Sequence, residues 1–231
     1  MPRLRLGIAR DAAFHFYYPD NLEAMVGGGA EWTPFSPLAD PRLPPDLDGL
    51  YFGGGYPEVH AGSLARNATM LAEIRRFAES GRAIYAECGG MMYLGRALTT
   101  SDGIRYPMAA VLPIETTMCE RLRMLGYTQI TWSADCLWGL AGETARGHEF
   151  HYSRITADFS RNEGWRPACS VRGRRPDPLR RPDGTAGEPP SEDSIAGGFV
   201  RGRIQAGYAH LHWASRPAAV RHFLSQCGEQ S

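Results

Sequence analysis

The sequence predicts an α/β domain on a mostly parallel central sheet, with helices on both faces and extra antiparallel strands in the second half. Two observations carry this reading. Short apolar runs of strand length alternate with helix-period stretches through the first hundred residues, and glycine clusters close two of those runs, at 53–55 and 89–90. In such folds, sites gather beyond the carboxyl ends of the strands.

The elements follow in order. Leu4–Ala9 is an apolar run of strand length. Asn21–Val26 reads as a helix stopped by Gly27-Gly28-Gly29, and Glu31–Phe35 as the next strand. Leu50–Phe52 is a third strand, closed by Gly53-Gly54-Gly55. From Ser63 to Ser80, Leu64, Leu71, Ile74 and Phe77 recur at near-helical spacing, and Gly81 stands where a helix-ending glycine belongs. Ala83–Ala86 is a buried strand, and Met91–Ala97 is helix-like.

The second half is less regular. Tyr106–Glu115, Met124–Trp132 and Ile155–Phe159 suggest further strands, and Gly197–Tyr208 resumes strand character. Between them, residues 161–193 turn to Arg, Pro, Gly and acidic side chains, which reads as a flexible surface loop within one domain spanning 1–231. A last helix starts with Ser215 as N-cap and packs Val220, Phe223 and Leu224.

Composition narrows the function. The 231 residues carry 25 basic and 25 acidic side chains, so no net basic field points to nucleic acid. No apolar run approaches the roughly 20 residues of a membrane span, and the N-terminus has no signal-peptide core. A cytoplasmic protein is expected. All 25 basic residues are arginine, so the chain has neither the lysine of a phosphate loop nor one for Schiff-base chemistry. The five cysteines are odd in number, scattered and without a CxxC pair, which argues against a disulfide framework and a zinc site.

Cys88 stands apart from the other four. It follows an apolar strand and precedes Gly89-Gly90 and a helix start, the pattern of a strand–nucleophile–helix elbow. Small neighbours let such a turn close, and a helix N-terminus draws a thiol below its free pKa of about 8.5. A thiol nucleophile needs a base, and His210 and His212 in Tyr208-Ala209-His210-Leu211-His212-Trp213 end a strand just before the last helix. Acyl chemistry also needs oxyanion donors, for which the amides of Gly89 and Gly54 are candidates. His148 and His151 flank Glu149, but no third ligand is evident, so they read as a core or interface pair and not as a metal site.

Four ordered segments then resemble one family. They are Tyr51–Glu58 (YFGGGYPE), Tyr85–Leu94 (YAECGGMMYL), Gly147–Ser153 (GHEFHYS) and Tyr208–Ser215 (YAHLHWAS). Together with Ala9-Arg10-Asp11 and Phe16-Tyr17-Tyr18 they are similar to the glutaminase domain of cobyrinic acid a,c-diamide synthases, over Leu6 to about Phe223. The resemblance implies a class I, triad-type glutamine amidotransferase with a flavodoxin-like fold. It implies Cys88 as the nucleophile that forms a thioester with L-glutamine, and His210 as its base. The wider class carries an acid two residues after the histidine. Here that position is His212, which implies a Cys–His dyad.

The resemblance also implies a separate ATP- and corrinoid-binding synthetase domain, which this chain does not contain. ATP and Mg2+ would act there, and no cofactor is expected in the glutaminase domain. His148, His151, His212, Arg10, Asp11 and Tyr17 are candidates for secondary or interface roles toward that partner. Alternatives are the glutaminase domain of a cobyric acid synthase or of a nickel-sirohydrochlorin a,c-diamide synthase, a hydrolase or chaperone with a similar elbow, and a catalytically silent docking module.

Overall fold

A computed structural model of the chain describes residues 3–159, 163–173 and 197–228. The first half runs β1 (Leu4–Ala9), α1 (Pro19–Gly27), β2 (Ala30–Phe35), β3 (Gly49–Phe52), α2 (Ala61–Arg66), α3 (Ala68–Glu79), β4 (Ala83–Glu87) and α4 (Gly89–Leu94). There follow β5 (Ala97–Thr99), β6 (Arg105–Pro107), β7 (Ile114–Met118), β8 (Met124–Trp132), β9 (Thr144–His151) and β10 (Ser153–Asp158). The chain closes with β11 (Arg166–Pro167), β12 (Cys169–Gly173), β13 (Phe199–Arg201), β14 (Ile204–Gly207), β15 (His210–His212), a 3-10 turn at Trp213–Ser215, and α5 (Pro217–Gly228).

The main sheet has the order β11-β13-β14-β4-β3-β1-β2. Its strands from β14 to β2 pair in parallel, while β13 and β11 add antiparallel at one edge. Strand alternation splits the core into two layers. Leu50, Phe52, Ile84 and Ala86 pack with Leu64, Leu71, Ile74, Phe77 and the α4 side chains. Leu6, Ile8, Tyr51 and Tyr85 face the other way, onto Met25 of α1 and Val220, Phe223 and Leu224 of α5. Helices therefore cover both faces, as the sequence predicts.

Two four-stranded sheets complete the described residues, in the orders β10-β7-β5-β6 and β12-β8-β9-β15. The second one positions the site. Its antiparallel pairing sets His148 of β9 opposite His210 of β15 and opposite Tyr127 of β8.

Several expected boundaries change. The single helix over Ser63–Ser80 is two, broken at Asn67, whose side chain accepts the Met70 N–H at 3.3 Å while its amide donates to the carbonyls of Pro37 and Asp40 at 2.8 and 2.9 Å. Asparagine that caps so well competes with helix continuation. Gly81 does end α3, at φ +75°. Ser215 is not the N-cap of the last helix: its hydroxyl accepts the Arg146 N–H at 3.0 Å, and α5 begins at Pro217. Tyr106–Glu115 divides between β6 and β7, and Gly197–Tyr208 between β13 and β14. Part of the expected 161–193 loop is strand, since β12 pairs with β8 over Cys169–Gly173 and β11 pairs with β13. Residues 161–162 and 174–193 of it lie outside the described residues.

Candidate active site

Cys88 sits at the turn from β4 into α4, with φ 49° and ψ −105°. A non-glycine residue in this region is strained, and such strain persists only where the surroundings over-determine it. Here they do. The Cys88 N–H donates to Gly207 O at 2.8 Å, its carbonyl accepts the Met92 N–H at 3.0 Å, and the Gly90 N–H donates to Gly53 O at 3.0 Å. A β-carbon on Gly90 would stand 2.4 Å from Phe52 O, so no larger residue lets α4 approach β3 this closely. Cys88 is 7% exposed, and its thiol points to the Phe150 carbonyl, with Sγ at 3.7 Å.

His210 arrives from β15. It is 4% exposed, its ring stacks on His148 at 4.8 Å and 16°, and the Phe16 ring meets it edge-on at 4.8 Å. A β-carbon on Gly54 would lie 2.3 Å from His210 Cε1, so glycine there makes room for the imidazole. Burial by itself would lower the pKa of this histidine. The Cys88 thiol and the Glu87 carboxylate outweigh burial and push it up to about 10. The Nδ1 atom is 3.6 Å from Glu87 Oε2, longer than a hydrogen bond.

Cys88 and His210 line one open cleft of about 100 Å³, with His148, His151, Phe150 and Glu58 among its walls. His148 is held by the Tyr18 hydroxyl at Nδ1, and burial, then the neighbouring His210, lowers its pKa. His151 stacks on Tyr208 at 3.8 Å and 10°, with Nδ1 2.9 Å from Ser153 O. Glu58 is the single carboxylate among the described residues of the wall, and burial raises its pKa. Among the described residues, no group of three or more His, Cys, Asp or Glu stands close enough to hold a metal ion.

The other candidates separate by position. The Gly54 N–H is already donated to Phe16 O, at 3.2 Å across an isolated antiparallel bridge, which corrects its expected role as an oxyanion donor. Gly55 lines the cleft, and among the described residues its amide meets no acceptor. A β-carbon on Gly89 would be 3.2 Å from Gly55 N, so the two glycines abut beside the thiol. The first amides of a helix have no intrahelical acceptor, which leaves that of Gly89 available.

Asp11 is a loop clamp. Its Oδ1 accepts the N–H groups of Ala13 and Phe14 at 2.8 and 3.2 Å, and its Oδ2 accepts Ser36 Oγ and Leu38 N at 2.8 and 2.9 Å. Tyr17 is a prop, with its hydroxyl donating to Ala9 O and accepting the Gly53 N–H. Those bonds hold both side chains in place, and both residues are half-buried. Arg10 is exposed, and His212, half-exposed, lies 4.0 Å from Asp20 at the rim.

Sequence reasoning missed Glu87. It is 1% exposed, and its carboxylate accepts the Tyr85 hydroxyl at 2.7 Å, the Tyr51 hydroxyl at 2.8 Å and the Leu211 N–H at 3.0 Å. A glutamate closing an otherwise apolar strand was the available signal.

Comparison with known proteins gives a consistent picture. Residues 5–218 match the model of the CobB/CobQ-like glutamine amidotransferase domain. The cobyrinate a,c-diamide synthase of Syntrophotalea carbinolica is 44% identical over 228 residues, which are 99% of this chain and 46% of that protein. The synthase of the same name from Salmonella typhimurium is 40% identical over 96% of this chain and 44% of its own length. The chain thus spans less than half the length of these curated relatives. Among solved structures, PurLQS from Thermotoga maritima superposes with a TM-score of 0.63 over 98% of both chains at 14% identity. A glutamine amidotransferase from the same organism does so at 0.55, over 90% of this chain and 76% of its own, at 12% identity. These structural likenesses bear on the fold alone.

Proposed function

The chain belongs to the CobB/CobQ-like glutamine amidotransferase family, and from that premise we propose that Cys88 hydrolyses L-glutamine through a covalent thioester. The observation that carries the reading is the pairing, in one cleft, of a strained elbow cysteine with a buried histidine pushed up to about 10. A histidine so raised takes the thiol proton readily. The thiolate attacks the side-chain amide carbon of glutamine, and the tetrahedral oxyanion is met by the amides of Gly89 and Gly55. The C–N bond breaks as His210 returns the proton to the leaving nitrogen, giving ammonia and a glutamyl thioester. Water, deprotonated by His210, then releases glutamate and restores the thiol.

The ammonia serves a second half-reaction elsewhere. The relatives' name points to amidation of the a and c carboxylates of a corrin ring, and we assign this chain the same acceptor, in cobalamin biosynthesis. Activation of those carboxylates by ATP and Mg2+ belongs to a synthetase domain or subunit outside these 231 residues. Around the cleft mouth, Phe16, Phe150 and Tyr152 are 39, 38 and 40% exposed, and Tyr127 on the neighbouring strand is 86% exposed. Aromatic surface of this kind suits the docking of that partner. All five cysteines are free, which suits a cytosolic setting, and among the described residues no helix is long and apolar enough to cross a membrane.

Glutaminase assay of the wild type against Cys88→Ser, with and without the synthetase partner, tests the reading. Glutamate release that Cys88→Ser abolishes is expected. Release that survives the substitution, or no release under either condition, would overturn it.

A further inference from the structure

We infer that Glu87, the residue immediately before the cysteine, is the positioning residue for His210. This rests on the assignment of Cys88 and His210 above.

The carboxylate has no freedom to turn away. Its Oε1 accepts Tyr85 Oη and Leu211 N at 2.7 and 3.0 Å, and its Oε2 accepts Tyr51 Oη at 2.8 Å. Donors from β3, β4 and β15 therefore fix it from three directions, and it is 1% exposed. His210 Nδ1 is also buried, and among the described residues it has no hydrogen-bond partner. A buried ring N–H without an acceptor is costly, and Glu87 Oε2 at 3.6 Å is the acceptor within reach of a small ring rotation. Catalytic hydrogen bonds are often long before substrate closes the site.

With Nδ1 committed to Glu87, the tautomer is set, and Nε2 on the opposite side of the ring is left to serve the thiol. The same carboxylate also holds the backbone of the next residue, Leu211, across 124 positions of sequence. Position 212 offers no substitute, since His212 lies toward Asp20 at the rim. The titratable groups facing His210 are Glu87 from β4, Cys88 from the elbow and His148 from β9. His148 opposes a charge on His210, and Glu87 is the one carboxylate among the three.

The test is Glu87→Gln in the 231-residue chain, which keeps the shape and removes the charge. The kcat for glutamine hydrolysis should fall about 10²-fold or more with KM little changed, as when a histidine loses its orienting acid. Independently of turnover, the NMR titration of His210 should move down by about one to three pH units, because an opposite charge has been removed. Glu87→Asp, which retains the charge, should recover part of that shift. Tyr51→Phe disturbs the same packing but leaves the carboxylate, and should keep His210 titrating high.

A folded Glu87→Gln protein in which His210 titrates as in the wild type would overturn the inference. So would a Tyr51→Phe protein that reproduces the whole shift, since that makes the effect one of packing. If Glu87→Gln does not fold, the Glu87→Asp and Tyr51→Phe titrations decide. If the wild type releases no glutamate with or without the synthetase partner, the functional reading fails while the titrations still judge Glu87.

Discussion

Gly54→Ala isolates the positional demand on His210, because it adds one methyl group and removes no chemistry. The Gly54 N–H stays bonded to Phe16 O, and no positive φ forbids alanine there. The new β-carbon would lie 2.3 Å from His210 Cε1, whereas carbon atoms in contact sit about 3.5–4.0 Å apart. The imidazole must therefore retreat by more than about 1 Å. It cannot do so freely, with His148 stacked at 4.8 Å, Phe16 edge-on at 4.8 Å and the next residue tethered to Glu87 at 3.0 Å.

Forcing a methyl into such packing costs about 1–3 kcal/mol, and a catalytic group misplaced by about 1 Å costs about 10²-fold in rate. For a chain of this size the stability loss corresponds to a melting temperature lower by about 2–12 °C. The expected result is glutaminase kcat down about 10²-fold in a protein that still melts cooperatively. A Gly54→Ala protein with kcat within about twofold of wild type would refute the reasoning, because the base would then be shown to tolerate displacement.

Two further outcomes follow from the same site. Glu58 is the single carboxylate among the described cleft-lining residues, so it is the group available to the α-ammonium of glutamine; Glu58→Gln should raise KM by about tenfold or more with a smaller effect on kcat, and an unchanged KM would exclude that contact. His210 is pushed up to about 10 in the folded chain, against about 6.5 unfolded, so its contribution to stability is fully present below pH 6.5 and is lost as pH rises toward 10. Melting temperatures of wild type and His210→Asn should therefore converge across that window, and parallel curves would contradict it.

The elbow was legible in the sequence because every part of it is local: strand, cysteine, two glycines and helix occupy a dozen consecutive residues. His210 was legible through its motif. Glu87 was not, because its meaning depends on Leu211 and His210, which reach it only through folding across more than 120 positions. Gly54 was misread for a similar reason. Its amide is claimed by Phe16, a partner that glycine spacing does not reveal. The β12 strand hid in an Arg-rich stretch, since it is the outermost strand of its sheet and tolerates polar residues. Asn67 broke a helix whose apolar period runs through the break without a fault.

Cys88 follows a strand of one sheet and His210 lies on a strand of another, the two joined at this point by the bonds around Glu87. Turnover therefore reads the alignment of two independently hydrogen-bonded slabs. Slippage between them of a fraction of an ångström would leave every ladder intact and the far-ultraviolet spectrum unchanged, while the reaction slows. Activity is the finer thermometer of this fold, and during warming it should fade before the helices and strands report any loss.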